Sequence, residues 1–356
     1  MKFPIKTLVP LEKKCWSLNF FRFFTALIFF FLLFSLSGCR YSHRLVPTVN
    51  PPSLPSFYVP KKIRVALVLG SGGVRGMAHV GVIEELEAAG ISVDLIVGCS
   101  AGSIVGALYA DNPCAKYIKE AVWNLKAASL LDFDLWQCRY GLCQGRSLSK
   151  VLNKYLKSET FEELKIPLVI VASDLNSGEL IPIGSGDVEK AVQASCSIPF
   201  IFIPQEHLGR ILVDGGVVNP VPVEVAFDIG AELIIAVDLC ELLPRTFPTN
   251  LFEVATRSAE IAFMWQNETC CHHADVIIRP KTCDIGTFSD HLRDQIYEAG
   301  RRAAREKIPE ILRKLDALKS NPINDSLEED DWCLYSPQCY TPQIYLKKTA
   351  TGNAPD

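Results

Sequence analysis

The sequence predicts an α/β protein in which a mostly parallel central sheet carries helices on both faces. Three observations lead there. Short, fully apolar runs of strand length recur from about residue 63 onward, and helical stretches separate them. The runs are continuous rather than alternating, as expected of strands buried on both sides. Glycines gather directly after the first two runs, where a strand must turn sharply into a helix.

Residues 64–69 are the first expected strand, followed by Gly70, Gly72, Gly73 and Gly76. A helix comes next, with Val82, Ile83, Leu86 and Ala89 on its apolar side and Glu84, Glu85 and Glu87 on the other. Gly90 takes the place of a glycine just past a helix end. Residues 91–97 form the second strand, and small residues over 101–109 start a helix. The stretch 116–156 reads as helical and as a cap over one end of the sheet. Strands are then expected at 167–172, 210–213, 232–238 and 275–279. Helices are expected at 187–194, 220–229, 251–268 and 290–318. Beyond Ser320 the chain turns polar, with scattered prolines, and reads as a loose tail.

The first forty residues are of another kind. Lys2, Lys6, Lys13, Lys14 and Arg22 precede an apolar run that begins at Phe23. The run covers about 14 residues, roughly 21 Å as a helix, against a hydrocarbon core of about 30 Å. That length suits the apolar region of a signal peptide, with an uncleaved anchor as the alternative. Leu36-Ser37-Gly38-Cys39 resembles the lipobox of bacterial lipoproteins. The resemblance implies cleavage before Cys39, lipid on that cysteine, and a membrane-anchored life in the bacterial cell envelope. Pro47, Pro51, Pro52, Pro55 and Pro60 then make an extended tether. The expected organisation is a signal peptide over 1–38, lipidated cysteine and tether over 39–62, a folded domain over 63–318, and a tail over 319–356.

With 356 residues, 49% of them hydrophobic, the chain can bury a large core. Its net charge of −4 and the lack of a basic block in the body argue against nucleic acid as partner. Lipid or small-molecule chemistry stays open, and nothing sets an oligomeric state. Of thirteen cysteines, Cys15 would leave with the signal and Cys39 would carry lipid, so an odd number remains. Cys99 and Cys196 read as small buried side chains. Cys138 with Cys143, and Cys333 with Cys339, are spaced for local bridges in an oxidising compartment.

The chemistry gathers in two places. Gly98-Cys99-Ser100-Ala101-Gly102 follows a strand and opens a helix, the context of a nucleophile elbow, so Ser100 is the candidate nucleophile. Gly70-Ser71-Gly72-Gly73-Val74-Arg75-Gly76 stands in a similar place. It fails the dinucleotide pattern, because the third glycine falls on Arg75, and it lacks the Gly-Lys-Ser/Thr of a phosphate loop. Flexible backbone donors for an oxyanion fit it best. Asp214 ends an apolar run and precedes Gly215 and Gly216, so it is a candidate base; a turn-forming Asp-Gly is the plainer alternative. His207, His272, His273 and His291 leave an ordinary histidine triad open. Cys270-Cys271-His272-His273 lacks the spacing of a zinc site.

Taken together these motifs resemble the patatin-like phospholipases, most closely the bacterial branch related to neuropathy target esterase. Three segments carry the likeness in order: Gly70 to Gly76, the Ser100 elbow with Ser103, and Asp214-Gly215-Gly216 continuing into Val217-Val218-Asn219-Pro220-Val221-Pro222. Between them Ala194-Ser195-Cys196-Ser197-Ile198-Pro199 is also similar to the family's segment ahead of its aspartate. The resemblance implies a three-layer fold, a Ser100–Asp214 dyad without histidine, and an oxyanion hole from the amides of Gly72, Gly73 and Val74. Arg75 would hold that loop, with Gly98, Gly102, Gly215 and Gly216 in support. It further implies hydrolysis of phospholipid or lysophospholipid esters, with membrane lipids as substrate and neither cofactor nor metal. Ser71 stands where many relatives carry glycine. A non-catalytic lipoprotein keeping the same fold is the reading from another class.

Overall fold

The computed structural model describes residues 25, 28–29, 44–125, 127–134, 139–239, 247–282, 292–320 and 331–341. In chain order it contains β1 (Phe57–Pro60), β2 (Val65–Leu69), a 3-10 turn (Gly73–Gly76), α1 (Met77–Ala88), β3 (Leu95–Cys99), α2 (Ala101–Asp111) and α3 (Ala115–Trp123). One helical turn (Ala127–Leu130), β4 (Gly141–Cys143) and α4 (Arg146–Tyr155) come next. They lead to β5 (Leu168–Asp174), β6 (Leu180–Ile183), α5 (Val188–Ser195), β7 (Phe200–Phe202), β8 (Gln205–His207) and β9 (Arg210–Asp214). The chain continues through α6 (Val223–Ile229), β10 (Leu233–Val237), α7 (Leu251–Cys270), β11 (Val276–Ile278), α8 (Arg293–Lys319) and β12 (Trp332–Tyr335).

The main sheet runs β11-β10-β2-β3-β5-β9-β8, with β6 also paired to β5. Strands β11, β10, β2, β3 and β5 are parallel neighbours; β6, β9 and β8 are antiparallel to theirs. The strand side chains divide by the period of two. Val65, Leu67 and Leu69 of β2 pack with helices α1, α2, α3, α4, α5 and α8, whereas Ala66 and Val68 face α6 and β1. The continuous apolar runs of the sequence therefore serve two cores, one on each face.

Several boundaries differ from the expectation. Residues 57–60, assigned to the tether, and 332–335, assigned to the tail, pair as antiparallel strands from Phe57↔Tyr335 to Pro60↔Trp332. The rings of Phe57 and Tyr335 meet at 5.3 Å. This ribbon covers part of the second face, where the sequence led one to expect helices alone. The second strand starts at Leu95 rather than at residue 91, because Asp94 is occupied in bonding the backbone of Val65. The stretch 116–156 is not wholly helical, since β4 lies within it and pairs with β7. Glu85, expected on the outer side of α1, is buried under α8 and paired with Arg301 and Arg305.

Cys99 and Cys196 are buried and not disulfide-bonded, and Cys333 and Cys339 do not bridge to one another. Cys138, Cys39 and nearly all of the leader lie outside the described residues. Among the described residues no helix is long and apolar enough to cross a membrane.

Candidate active site

Strand β3 stops at Cys99 and α2 begins at Ala101, so Ser100 must make the turn alone. It does so at φ 52° and ψ −119°, a region costing a non-glycine residue about 1–3 kcal/mol. Neighbours hold it there. Its N–H donates to Ser195 Oγ at 2.8 Å. Its carbonyl accepts from Ser103 Oγ at 2.6 Å and from Cys196 Sγ at 3.3 Å. Two glycines make room for the turn: a Cβ at position 98 would lie 2.8 Å from Ser103 Cα, and one at position 102 would collide with the Leu69 carbonyl. The serine side chain thus sits at the positive end of an eleven-residue helix.

Sheet register brings Asp214 to it. Cys99 stands opposite Val171 on β5, so Ser100 comes level with Ala172, and Ala172 stands opposite Asp214 on the other side of β5. Two residues 114 positions apart therefore flank one strand at the same height. Ser100 Oγ donates to Asp214 Oδ2 at 2.6 Å. The other carboxylate oxygen accepts from the Gly216 N–H at 2.8 Å. A side chain on Gly215 would run into the Val171 carbonyl at 2.5 Å. Asp214 is 2% exposed, and burial pushes its pKa up to about 6 against the opposing hydrogen bonds from Ser100 and Gly216. A carboxylate so placed can take a proton from the hydroxyl near neutral pH.

The glycine loop lies beside the serine. Gly73 adopts φ +58° and starts the 3-10 turn. The first bond of that turn runs from Arg75 N–H to the Gly72 carbonyl, so the N–H groups of Gly72, Gly73 and Val74 have no acceptor within it. Gly73 and Val74 share a cavity wall with Ser100; Gly72 does not line it. Arg75 is buried, donates from Nε to the Gly72 carbonyl at 3.2 Å, and approaches Glu260 of α7 at 3.6 Å. The arginine thus ties the loop to a helix nearly two hundred residues away. No motif surrounds Glu260, and only its inward position on an amphipathic helix hints at a role.

The cavity, about 110 Å³, is almost wholly apolar. Ile104, Val122, Leu125, Leu148, Ile198 and Phe202 supply much of its wall. Arg293, at the start of α8, closes one side and donates to the carbonyls of Trp123 and Leu125. Sequence patterns do not mark these residues, since each belongs to an ordinary helix or loop.

Three described histidines have their contacts away from Ser100. His79 Nε2 meets the Gly70 carbonyl at 2.8 Å, and His273 stacks on Phe227 at 4.1 Å. His207 lies in β8 near Asp187, and His291 is outside the described residues. Among the described residues no three His, Cys, Asp or Glu side chains gather as a metal site requires.

Residues 67–227 match the family model for patatin-like phospholipase. Patatin-like phospholipase domain-containing protein 6 of Mus musculus is 33% identical over 315 residues, covering 75% of this chain and 22% of that protein. An uncharacterized NTE family protein of Mycobacterium tuberculosis is 34% identical over 176 residues, covering 49% of each. Lysophospholipase nte1 of Aspergillus fumigatus is 28% identical over 295 residues, covering 74% of this chain and 19% of that one. This chain thus spans about a fifth of the mouse and fungal relatives and about half of the mycobacterial one. Among solved structures, VipD from Legionella pneumophila aligns with a TM-score of 0.48 at 16% identity, over 78% of this chain and 72% of that one. The elbow, the glycine loop and the Asp-Gly-Gly all fall inside residues 67–227, which match the family model as a patatin-like phospholipase domain.

Proposed function

We propose that this protein hydrolyses the acyl esters of phospholipids or lysophospholipids through a Ser100–Asp214 dyad. The observation that carries the reading is the 2.6 Å hydrogen bond between the two side chains at the head of an apolar cavity. Asp214 accepts the proton of Ser100 as the oxygen attacks the ester carbonyl. The amides of Gly73 and Val74, which line the cavity with Ser100, stabilise the oxyanion, each donor being worth about 2.7–4 kcal/mol when well aimed. The carboxyl proton then passes to the departing alcohol of the lipid, leaving an acyl-serine. Water enters, gives its proton to Asp214, and attacks the acyl group; the proton returns to Ser100 as the fatty acid leaves. Apolar walls suit the cavity to an acyl chain.

A fluorophosphonate probe is expected to label the wild-type protein and not Ser100→Ala, with circular dichroism unchanged. Labelling retained in Ser100→Ala, or no fatty acid released from any phospholipid or lysophospholipid offered, would defeat the proposal.

We infer further that Cys39 carries lipid and fixes the protein in the envelope membrane of a bacterium. The support is the basic leader, the short apolar run and Leu36-Ser37-Gly38-Cys39. Labelled palmitate is expected in the wild-type protein expressed in bacteria and absent from Cys39→Ala. Equal incorporation into both would exclude the lipobox reading.

A further inference from the structure

A second feature surrounds the mouth of the cavity. Phe200, in β7, is 77% exposed and holds φ +69°. A bulky residue in the left-handed region is a genuine outlier, kept only where something depends on it. Exposure means that its packing within the fold does not explain the strain. Phe133 is likewise 59% exposed and bridges to Cys143 of β4, the strand that pairs with β7. On both segments the residue two positions away lines the cavity: Phe202 beside Phe200, and Leu131 beside Phe133. The apolar surface therefore continues outward from the cavity into two exposed aromatic rings.

Charge accompanies these rings. Helix α4 follows β4 directly and sends Leu148 into the cavity wall. Arg146, Lys150 and Lys154 recur on its exposed side with the four-residue spacing of one helix face. Asp134 lies 3.8 Å from Arg146 and offsets part of its charge, whereas Asp132 is occupied in accepting the N–H groups of Gly145 and Arg146. A basic stripe beside an apolar rim stands out on a chain of net charge −4.

We propose that this rim docks on an anionic phospholipid bilayer, with Phe200 and Phe133 entering the interface and Arg146, Lys150 and Lys154 facing the headgroups. The proposal rests on the lipid-esterase reading, because docking here sets the cavity mouth against its substrate. It adds a second contact beyond the N-terminal lipid. Each basic residue near an anionic surface favours binding by about fivefold, and an inserted ring adds roughly tenfold or more. The left-handed backbone at the exposed Phe200 is held at the expense of fold stability.

Phe200→Asn separates these effects, because asparagine tolerates the left-handed region. The melting temperature is expected to rise by about 2 °C or more. A residue with a purely structural role would lower it on truncation.

The docking itself is read by hydrogen exchange on full-length Ser100→Ala protein, in which no lipid is turned over. The protein is placed in vesicles of phosphatidylcholine alone, or of phosphatidylcholine mixed with phosphatidylglycerol. The basic leader, where retained, also favours anionic vesicles, so the place of protection and its loss in the rim variant isolate the charged surface. Slower exchange over 139–150 and 198–203 on the anionic vesicles, lost in Phe200→Asn combined with Arg146→Gln and Lys150→Gln, is the expected result. Identical exchange on both vesicles overturns the proposal. So does protection around the exposed Phe247, Leu251 and Val254 instead, or protection that follows protein concentration without lipid and so reports a second copy. In the parent with Ser100 intact, Phe200→Asn should slow hydrolysis of vesicle phospholipid about tenfold and leave a soluble short-chain ester within twofold. If the intact protein hydrolyses neither substrate, the esterase reading fails while the exchange result still decides docking.

Discussion

Asp214→Asn is expected to remove turnover while making the protein more stable above about pH 7. The loss of activity follows from the proposed chemistry. Asparagine can still hold the Ser100 hydroxyl and the Gly216 N–H, yet it cannot take a proton, and a positioned general base contributes about 10²–10⁴-fold. The gain in stability follows from burial. In the unfolded chain the carboxyl has its ordinary pKa of 3.8, and in the fold it is pushed up to about 6. The folded state therefore binds its proton more tightly than the unfolded state. Its favourable contribution is complete below about pH 3.8 and is lost as pH rises through about 6. Ionised Asp214 costs the fold on the order of 3 kcal/mol, of which the neutral amide should recover about 1–3 kcal/mol.

Melting curves of both proteins across pH check the claim. The difference between them should be small near about pH 4, grow through about pH 6, and level off above it. In the wild-type protein, kcat/KM should fall with a single protonation near the same pH, since the free enzyme needs the ionised form. An Asp214→Asn protein that keeps full turnover, or a wild-type profile flat through that range, rules out the dyad.

Gly102→Ala is expected to cost more stability than any other single methyl group added near the site. Its Cβ would collide with the carbonyl of Leu69, at the end of β2, and the atoms it meets are all backbone, which cannot swing aside as a side chain would. The elbow packs α2 directly against β2, so relief means separating helix from sheet. A cost of about 4 kcal/mol or more is expected, within the range that marks severe single mutations. Against a usual total of about 5–15 kcal/mol this leaves little reserve. Gly90→Ala is the matched control. Its φ of +70° strains the backbone, yet nothing lies within 4 Å of the added carbon. It should cost only about 1–2 kcal/mol. Urea titration of the two variants compares collision with conformational strain, and equal losses would show that the elbow is loosely packed.

These expectations show which parts of the molecule were legible in the chain. The apolar runs at β2, β5 and β10 marked the sheet because each is buried on both sides, which leaves no room for polar alternation. Glycines marked the elbow and the loop because close backbone approach excludes any larger residue. β1 and β12 escaped notice for the opposite reason. Each is four residues long, one ends in proline, and each is paired only with a partner some 270 residues away. The sharing of Glu85 between Arg301 and Arg305 escaped likewise, since a glutamate on a helix side looks the same whether water or another helix covers it.

The sequence by itself determined the alternating architecture, the turn at Ser100 and an aspartate at a strand end, all recorded among neighbours within a few residues. Only the tertiary structure decided that Ser100 and Asp214 lie 2.6 Å apart, that Glu260 steadies Arg75, and that a left-handed Phe200 stands outside the cavity. Those facts depend on strand order and register across more than a hundred residues. Local propensity does not encode such distances, because they arise when the two faces of the sheet are packed together.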